Sequence, residues 1–263
     1  MKFASRTLVA LGLGLALQAS THAAVVTQWS YTTVATWTAA TGAALTPTVL
    51  SWGTGPDGSS SLTIANPAPG LVDTYLGLGT AFSFAAPGGT ITHANHPITG
   101  TMLSAATLHS ELLLTPTLPG PGSPAGPSPI DWSMLFKETV NSGPCAVATD
   151  GVPCDDVLVL TTPLQNKTFV YDTDGVGGDD PVTYYVNIFP TNPAFGLLSD
   201  AACAAAGVAS GCVGFTTKEG EVTPLPYSFL VSAAPLGVPE PGSIALMGLA
   251  LLALGGSRRR KQG

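Results

Sequence analysis

The sequence predicts an all-β fold: a single β-sandwich-like domain of about eleven short strands with one short helix. Apolar and polar residues alternate over short runs, as around Trp29 and Tyr31, which is the pattern of a half-buried strand. The 31 glycines and 23 prolines place turn residues between these runs. One run, 199–209, has helical character, with Ser199 as its N-cap and alanines behind it.

The predicted strands are spread over residues 24–237, which are expected to form the folded domain. They are residues 25–37, 48–52, 60–64, 81–84, 89–93, 105–115, 131–138, 157–161, 168–172, 182–189, 213–217 and 227–232. Many short strands separated by turns are typical of a β-sandwich.

A stretch rich in proline and glycine, residues 116–129, interrupts the strands. It holds six prolines and three glycines in fourteen residues. Proline lacks a backbone donor, so the stretch is not a central strand. We interpret it as a loop projecting from one domain; the alternative is a linker between two domains.

The N-terminal 23 residues have the features of a secretory signal peptide. Lys2 and Arg6 precede an apolar core at 8–17, which is too short to span a bilayer. Small residues then favour cleavage after Ala23, with Ala24 as the second choice. This segment predicts use of the Sec translocon and signal peptidase, so residues 24–237 are expected outside the cytoplasm.

The C-terminal segment, 238–263, combines a short motif, an apolar run and a basic end. The motif is Val238, Pro239, Glu240 and Pro241, and the cations are Arg258, Arg259, Arg260 and Lys261. The uncharged run 243–256 would span about 21 Å as a helix, against about 30 Å of bilayer hydrocarbon. The cations resist translocation. The run is therefore short for a permanent anchor, and a thin single-pass anchor is the alternative to a sorting tail.

This tail resembles the PEP-CTERM sorting signal of Gram-negative bacteria. The resemblance implies processing near Pro239–Pro241 by an exosortase and transient attachment to the inner membrane through the C-terminal helix. It also implies delivery to the cell surface or the extracellular matrix. Within the domain, Thr92, His93 and Asn95 of the sequence Thr-His-Ala-Asn resemble the signature of the THxN family of PEP-CTERM proteins, which implies no particular activity.

The charge distribution excludes some partners. Only Lys137, Lys167 and Lys218 are cationic within 24–241, whereas all sixteen acidic residues lie there, so the region carries 3 − 16 = −13. Nucleic acids and anionic membranes require cationic contacts, and we expect neither as a partner of the domain. Divalent cations and neutral glycans remain compatible with this surface.

Four cysteines in an exported chain predict disulfide bonds. Three pairings are open. We favour Cys145 with Cys154 and Cys203 with Cys212, because short closures form readily, with the predicted helix inside the second loop.

Two candidate metal sites follow from the sequence. Asp172, Asp174, Asp179 and Asp180 lie in a glycine-rich run and could supply oxygen ligands to calcium; a solvated turn is the alternative. A second set is His93, His96, His109 and Glu111, which could hold zinc. For that set we favour His93 and Asn95 satisfying backbone groups in a turn.

Three classes of function remain. We expect a structural or adhesive surface protein in biofilm or exopolysaccharide. The alternative is a glycan-binding module, calcium-assisted, in which Trp29, Trp37, Trp52 or Trp132 stacks on sugars. An enzyme is not expected: the sequence has no G-x-S-x-G, P-loop or H-E-x-x-H motif. A hydrolase is the least favoured class, because Asp155 and Asp156 are strand neighbours that would face opposite ways.

Overall fold

The computed structural model describes residues 24–139, 145, 154–173, 181–192 and 195–237. Within them the chain forms fourteen strands, one α-helix and one short 3₁₀ helix. The strands are β1 Gln28–Thr41, β2 Ala44–Leu45, β3 Val49–Trp52, β4 Ser60–Ala65, β5 Gly70–Tyr75, β6 Ala86–Ala94, β7 Ala105–Leu118, β8 Ile130–Lys137, β9 Asp156–Leu160, β10 Lys167–Tyr171, β11 Val182–Pro190, β12 Phe195–Leu197, β13 Val213–Thr217 and β14 Val222–Ser232. The helix α1 is Asp200–Ala205. The prediction of an all-β fold with one short helix is confirmed.

The strands belong to one hydrogen-bonded sheet. Its main path runs β12-β13-β9-β8-β7-β1-β5-β14-β6-β4-β3-β2, while β11 also pairs with β14 and carries β10 at its outer edge. The two halves of this sheet face each other across a large core. Trp132, Met134 and Phe136 of β8 pack there with Leu50 and Trp52 of β3, although β8 and β3 are distant in the strand order. The packing is therefore sandwich-like within a continuous open sheet.

Strand β1 contributes to two cores. It pairs with β7 over most of its length and with β5 at its start. Its later residues Ala35 and Trp37 lie in the large core. Its earlier residues Trp29 and Tyr31 lie in a second core, which β10, β11 and the end of β14 complete.

Trp29 is the centre of the second core and is fully buried. Its ring meets those of Phe169, Tyr171 and Tyr184 edge-on, with centroids 5.6, 5.3 and 5.1 Å away. Its indole N–H donates to the Thr74 hydroxyl at 2.9 Å. Edge-to-face rings and a satisfied indole are the favourable arrangement for a buried tryptophan.

The predicted strand at 81–84 is wrong: Ala81–Phe84 is a 3₁₀ helix. The Ser83 hydroxyl and backbone N–H both donate to the carbonyl oxygen of Thr80, at 2.7 and 3.0 Å. These local bonds compete with sheet pairing. Strands β2, β5 and β12 were not predicted, because they are short or flanked by proline and glycine.

Most of the proline-rich stretch is irregular, but its first residues extend β7 to Leu118. Pro116 pairs with Trp29 of β1, beyond the last β7–β8 pair at Ser110. A proline is tolerated where a strand has no partner on its other side. Further along this stretch, Ala125 exchanges two backbone hydrogen bonds with Leu114 of β7, both 2.7 Å long.

Both favoured disulfides, Cys145–Cys154 and Cys203–Cys212, are present. The Ser199 side chain caps α1 by accepting from the Ala202 N–H, as predicted. The helix is shorter than predicted and ends at Ala205, before a residue with positive φ, Gly207. It begins before Cys203, so the expectation that the whole helix lies inside the second disulfide loop is wrong.

We predict that Trp29→Ala lowers the free energy of unfolding by about 3–5 kcal/mol, because it leaves a large cavity in the second core. Urea denaturation of the mature protein measures the change. Val34→Ala is the control, since Val34 lies on the same strand but is 45% exposed. It should change the free energy by less than about 0.5 kcal/mol. Equal effects of the two substitutions would contradict the assigned core.

Candidate functional site

Three acidic residues converge at one end of the adjacent strands β8, β9 and β13. Glu138 follows β8, Asp156 begins β9, and Glu219 lies in the turn after β13. One carboxyl oxygen from each lies within 4.8 Å of the other two. Glu138 and Asp156 are only 7% and 1% exposed, and both carboxyl oxygens of Glu219 are shielded from solvent. We call these three residues the carboxyl cluster.

Strand alternation directs each acid inward, because successive side chains of a strand point to opposite faces. The inward series are Trp132, Met134, Phe136 and Glu138 along β8, Asp156 and Leu158 in β9, and Phe215, Thr217 and Glu219 along β13. Each acid thus takes a position that continues an inward-facing row. Lys218, which alternates with Thr217 and Glu219, is exposed.

Hydrogen bonds hold one oxygen of Glu138 and one of Asp156. The indole N–H of Trp52 donates to Glu138 Oε2 at 3.0 Å. The backbone N–H of Thr139 donates to Asp156 Oδ1 at 2.8 Å, and the Thr139 hydroxyl donates to the Cys154 carbonyl at 2.9 Å. Trp52 is on β3, so its bond to Glu138 joins the two halves of the sheet.

The motif residues His93, on β6, and Asn95, just after β6, lie beside this cluster. The His93 ring stacks on Trp52, with centroids 5.6 Å apart, and its Nδ1 lies 2.6 Å from the Thr217 hydroxyl. Asn95 Nδ2 donates to the Thr217 carbonyl at 3.3 Å. The motif residues therefore contact both the partner of Glu138 and the strand that leads to Glu219.

Backbone bonds of Asn95 fix the turn that carries Glu219. The Asn95 N–H donates to the Glu221 carbonyl, and the Gly220 N–H donates to the Asn95 carbonyl, both at 2.9 Å. Gly220 has a φ of 76°, a conformation that favours glycine. These bonds hold Glu219 on a rigid turn.

Burial determines the protonation of the cluster. Burial and then the Glu138 carboxylate raise the pKa of Asp156 to about 8, against a hydrogen bond from Thr139. Burial and the Glu138 charge raise the pKa of Glu219 to about 7. Burial also raises the pKa of Glu138, although hydrogen bonds with Trp52 and with the Asp156 side chain oppose this. Burial lowers the pKa of His93 to about 3, so its imidazole is neutral.

The histidine set does not converge, so the zinc hypothesis is wrong for these residues. His93 is buried in β6 rather than in a loop, whereas His109 lies on β7 between Asp131 and Glu111, at 2.7 and 3.3 Å. Those two hydrogen bonds raise the pKa of His109. We favoured His93 and Asn95 as residues that satisfy backbone groups. Asn95 does so, since its side chain donates to the Thr217 carbonyl, whereas His93 contacts the Thr217 hydroxyl.

The other predicted ligands and stacking residues do not form a site in the part of the chain that is described. Asp172 follows β10, but Asp174, Asp179 and Asp180 lie outside the described residues, and calcium binding by this run stays a prediction. The predicted sugar-stacking residues Trp29, Trp37, Trp52 and Trp132 are 0, 2, 3 and 4% exposed. No face of these tryptophans is available for stacking on a sugar.

Sequence reasoning missed the carboxyl cluster. It treated Glu138 as the end of a strand and Asp156 as half of a pair with Asp155. Asp155 and Asp156 are both buried, at 4% and 1% exposure. The signal that could have revealed the cluster is that each acid continues a row of alternate, inward-facing residues.

Comparison with protein families bears on the C-terminal tail. A model of the PEP-CTERM protein-sorting motif matches residues 237–260. The chain carries a PEP-CTERM sorting signal. This signal implies export, a transient membrane-anchored state and an exosortase as the processing partner. The sequence has no significant match among curated proteins.

The match leaves two predictions untested. It does not reach residues 92–95, so the THxN resemblance of this PEP-CTERM protein stays a prediction. The signal peptide 1–23, with its cleavage site, and the tail 238–263 lie outside the described residues. Within the described part of the chain, no helix combines the length and apolar character needed to cross a membrane.

We predict that, with a chelator present, the melting temperature falls as pH rises from about 6.5 to 8 and then levels off. Folded Asp156 and Glu219 keep protons that the unfolded chain releases near pH 4, so stability falls as pH rises through this interval up to about pH 7 for Glu219 and about pH 8 for Asp156. Unfolded His93 is half protonated at about pH 6.5, whereas the folded imidazole is neutral, so His93 opposes the fall only at the lower end of this range. Differential scanning calorimetry measures the slope.

Asp156→Asn should flatten this slope, because the amide does not titrate. Asp57→Asn, on an exposed loop, is the matched control and should keep the wild-type slope. A slope that is unchanged in Asp156→Asn would show that another group causes the pH dependence.

Proposed function

We propose that this PEP-CTERM protein is an exosortase-processed component of the cell surface or extracellular matrix, with a structural or adhesive role in biofilm or exopolysaccharide. The sorting motif at 237–260 is the observation that carries the proposal. In this view the tail directs the chain to the exosortase, and the β-domain is the part that remains after processing.

The β-domain suits that role. Two disulfides close its loops, which stabilises small folds outside the reducing cytoplasm. The net charge of −13 over residues 24–241 keeps the domain away from anionic membranes and nucleic acids.

The alternative of a glycan-binding module has lost the residues that motivated it, because the four tryptophans are buried. The view that the domain is not an enzyme stays a prediction. The carboxyl cluster does not favour a hydrolase, since its unpartnered oxygens are shielded from solvent and from any substrate. The structural or adhesive role is therefore the one that we propose.

We predict that the mature protein ends near Pro239–Pro241 and is recovered from matrix or medium. Glu240→Ala should keep the full tail and remain in the inner-membrane fraction, because the motif is no longer processed. Cell fractionation with mass spectrometry of the C-terminal peptide measures both. Gln262→Ala, which leaves the motif intact, is the control.

Recovery of wild-type protein in the cytosol with Arg258–Lys261 attached would overturn the sorting part of the proposal. The structural role is tested separately, with a deletion strain. Its biofilm should lose cohesion and regain it with the wild-type chain but not with Glu240→Ala. Normal biofilm in the deletion strain would overturn the structural or adhesive role.

A further inference from the structure

Four oxygens of the carboxyl cluster accept no hydrogen bond from an N–H or hydroxyl group, although the Glu138 and Asp156 side chains are within hydrogen-bonding reach of each other when they share a proton. The four oxygens are Glu138 Oε1, Asp156 Oδ2 and both carboxyl oxygens of Glu219. All four are shielded from solvent, and the residues Glu138 and Asp156 are themselves more than nine-tenths buried. A buried carboxylate is costly unless a counter-charge, a metal or a proton compensates it. The cluster therefore requires a ligand or bound protons.

The donor set indicates the class of ligand. All three groups are carboxylates, which are hard oxygen donors that prefer calcium or magnesium to softer metals. Calcium–oxygen bonds of about 2.3–2.6 Å allow ligands on opposite sides of one ion to be about 5 Å apart. The cluster meets this limit, because its ligand atoms lie within 4.8 Å of one another.

The surroundings hold the three carboxylates in place before any ion arrives. Trp52 fixes Glu138, Thr139 fixes Asp156, and the backbone of Asn95 fixes the turn carrying Glu219. Trp52 is in turn packed against His93 and against Phe136, whose centroid is 5.1 Å away. Sites whose ligands are held by surrounding contacts bind ions with little reorganisation.

We propose that Glu138, Asp156 and Glu219 form a calcium site between the two halves of the sheet. The ion joins β8, β9 and the β13–β14 turn, and Trp52 links this assembly to β3. The motif residues His93 and Asn95 act as positioning residues for the site. The site is separate from the predicted calcium loop at Asp172, and it does not depend on the proposed surface role.

Calcium fits the cluster better than magnesium. Magnesium requires near-ideal octahedral geometry and usually keeps several waters, whereas calcium accepts irregular sets of six to eight oxygens. Glu219 can bind through both oxygens, while Glu138 and Asp156 each have one oxygen engaged elsewhere.

The test uses the full mature protein, stripped with a chelator and returned to calcium. At 10 mM calcium the melting temperature should rise by about 3–10 °C, given the affinities of about 10⁻⁴–10⁻³ M that extracellular calcium modules show. Magnesium at the same concentration should have a clearly smaller effect. Terbium added in place of calcium should emit when tryptophan is excited, since the Trp52 indole contacts a ligand carboxylate and can transfer energy to the ion.

Substitutions locate the site. Glu138→Gln and Glu219→Gln should abolish the calcium-induced rise in melting temperature. Asp57→Asn and Asp172→Asn should keep it, because these residues lie outside the cluster. Glu219 is on a turn, so Glu219→Gln provides the test if Glu138→Gln does not fold.

Three results would overturn the proposal. The first is a melting temperature that does not respond to calcium, together with no terbium emission, which would mean that protons alone neutralise the cluster. The second is a calcium response that survives in Glu219→Gln, which would place the ion elsewhere. The third is an equal response to magnesium, which would reject the assignment to calcium.

Discussion

The hydrogen bond from Trp52 to Glu138 joins the two halves of the folded sheet at a point where charge is buried. Trp52 belongs to β3, while Glu138, Asp156 and Glu219 belong to the opposite half. Apolar packing in the large core brings these groups together, but it also removes the carboxylates from water. The closed arrangement therefore depends on neutralising these carboxylates, by bound protons or by a cation.

The Thr-His-Ala-Asn motif gains a physical role from this constraint. His93 packs on Trp52 and contacts Thr217, and Asn95 binds the backbone on both sides of Glu219. A neutral buried imidazole and an amide suit this task, because both offer polar contacts without adding charge to an acidic site. The motif is thus a support for the carboxyl cluster, whatever family it marks.

Much of the fold could be predicted from the sequence, because alternation and turn residues act locally. The predictions were wrong where tertiary contacts or local hydrogen bonds determine the type or the start of an element. Ala81–Phe84 forms a 3₁₀ helix through Ser83, and β14 begins at Val222 because Pro224 and Pro226 are tolerated beside β6. The cluster could have been suspected from the inward register of Glu138, but the convergence with Glu219 depends on strand order, which the sequence does not reveal.

The most direct measurement is anomalous diffraction from crystals of the mature protein grown with calcium. The account predicts an anomalous peak between Glu138, Asp156 and Glu219, with metal–oxygen distances of about 2.3–2.6 Å. Crystals grown with calcium that show no anomalous peak at this position, with Glu138 and Asp156 still hydrogen-bonded to each other, would contradict it.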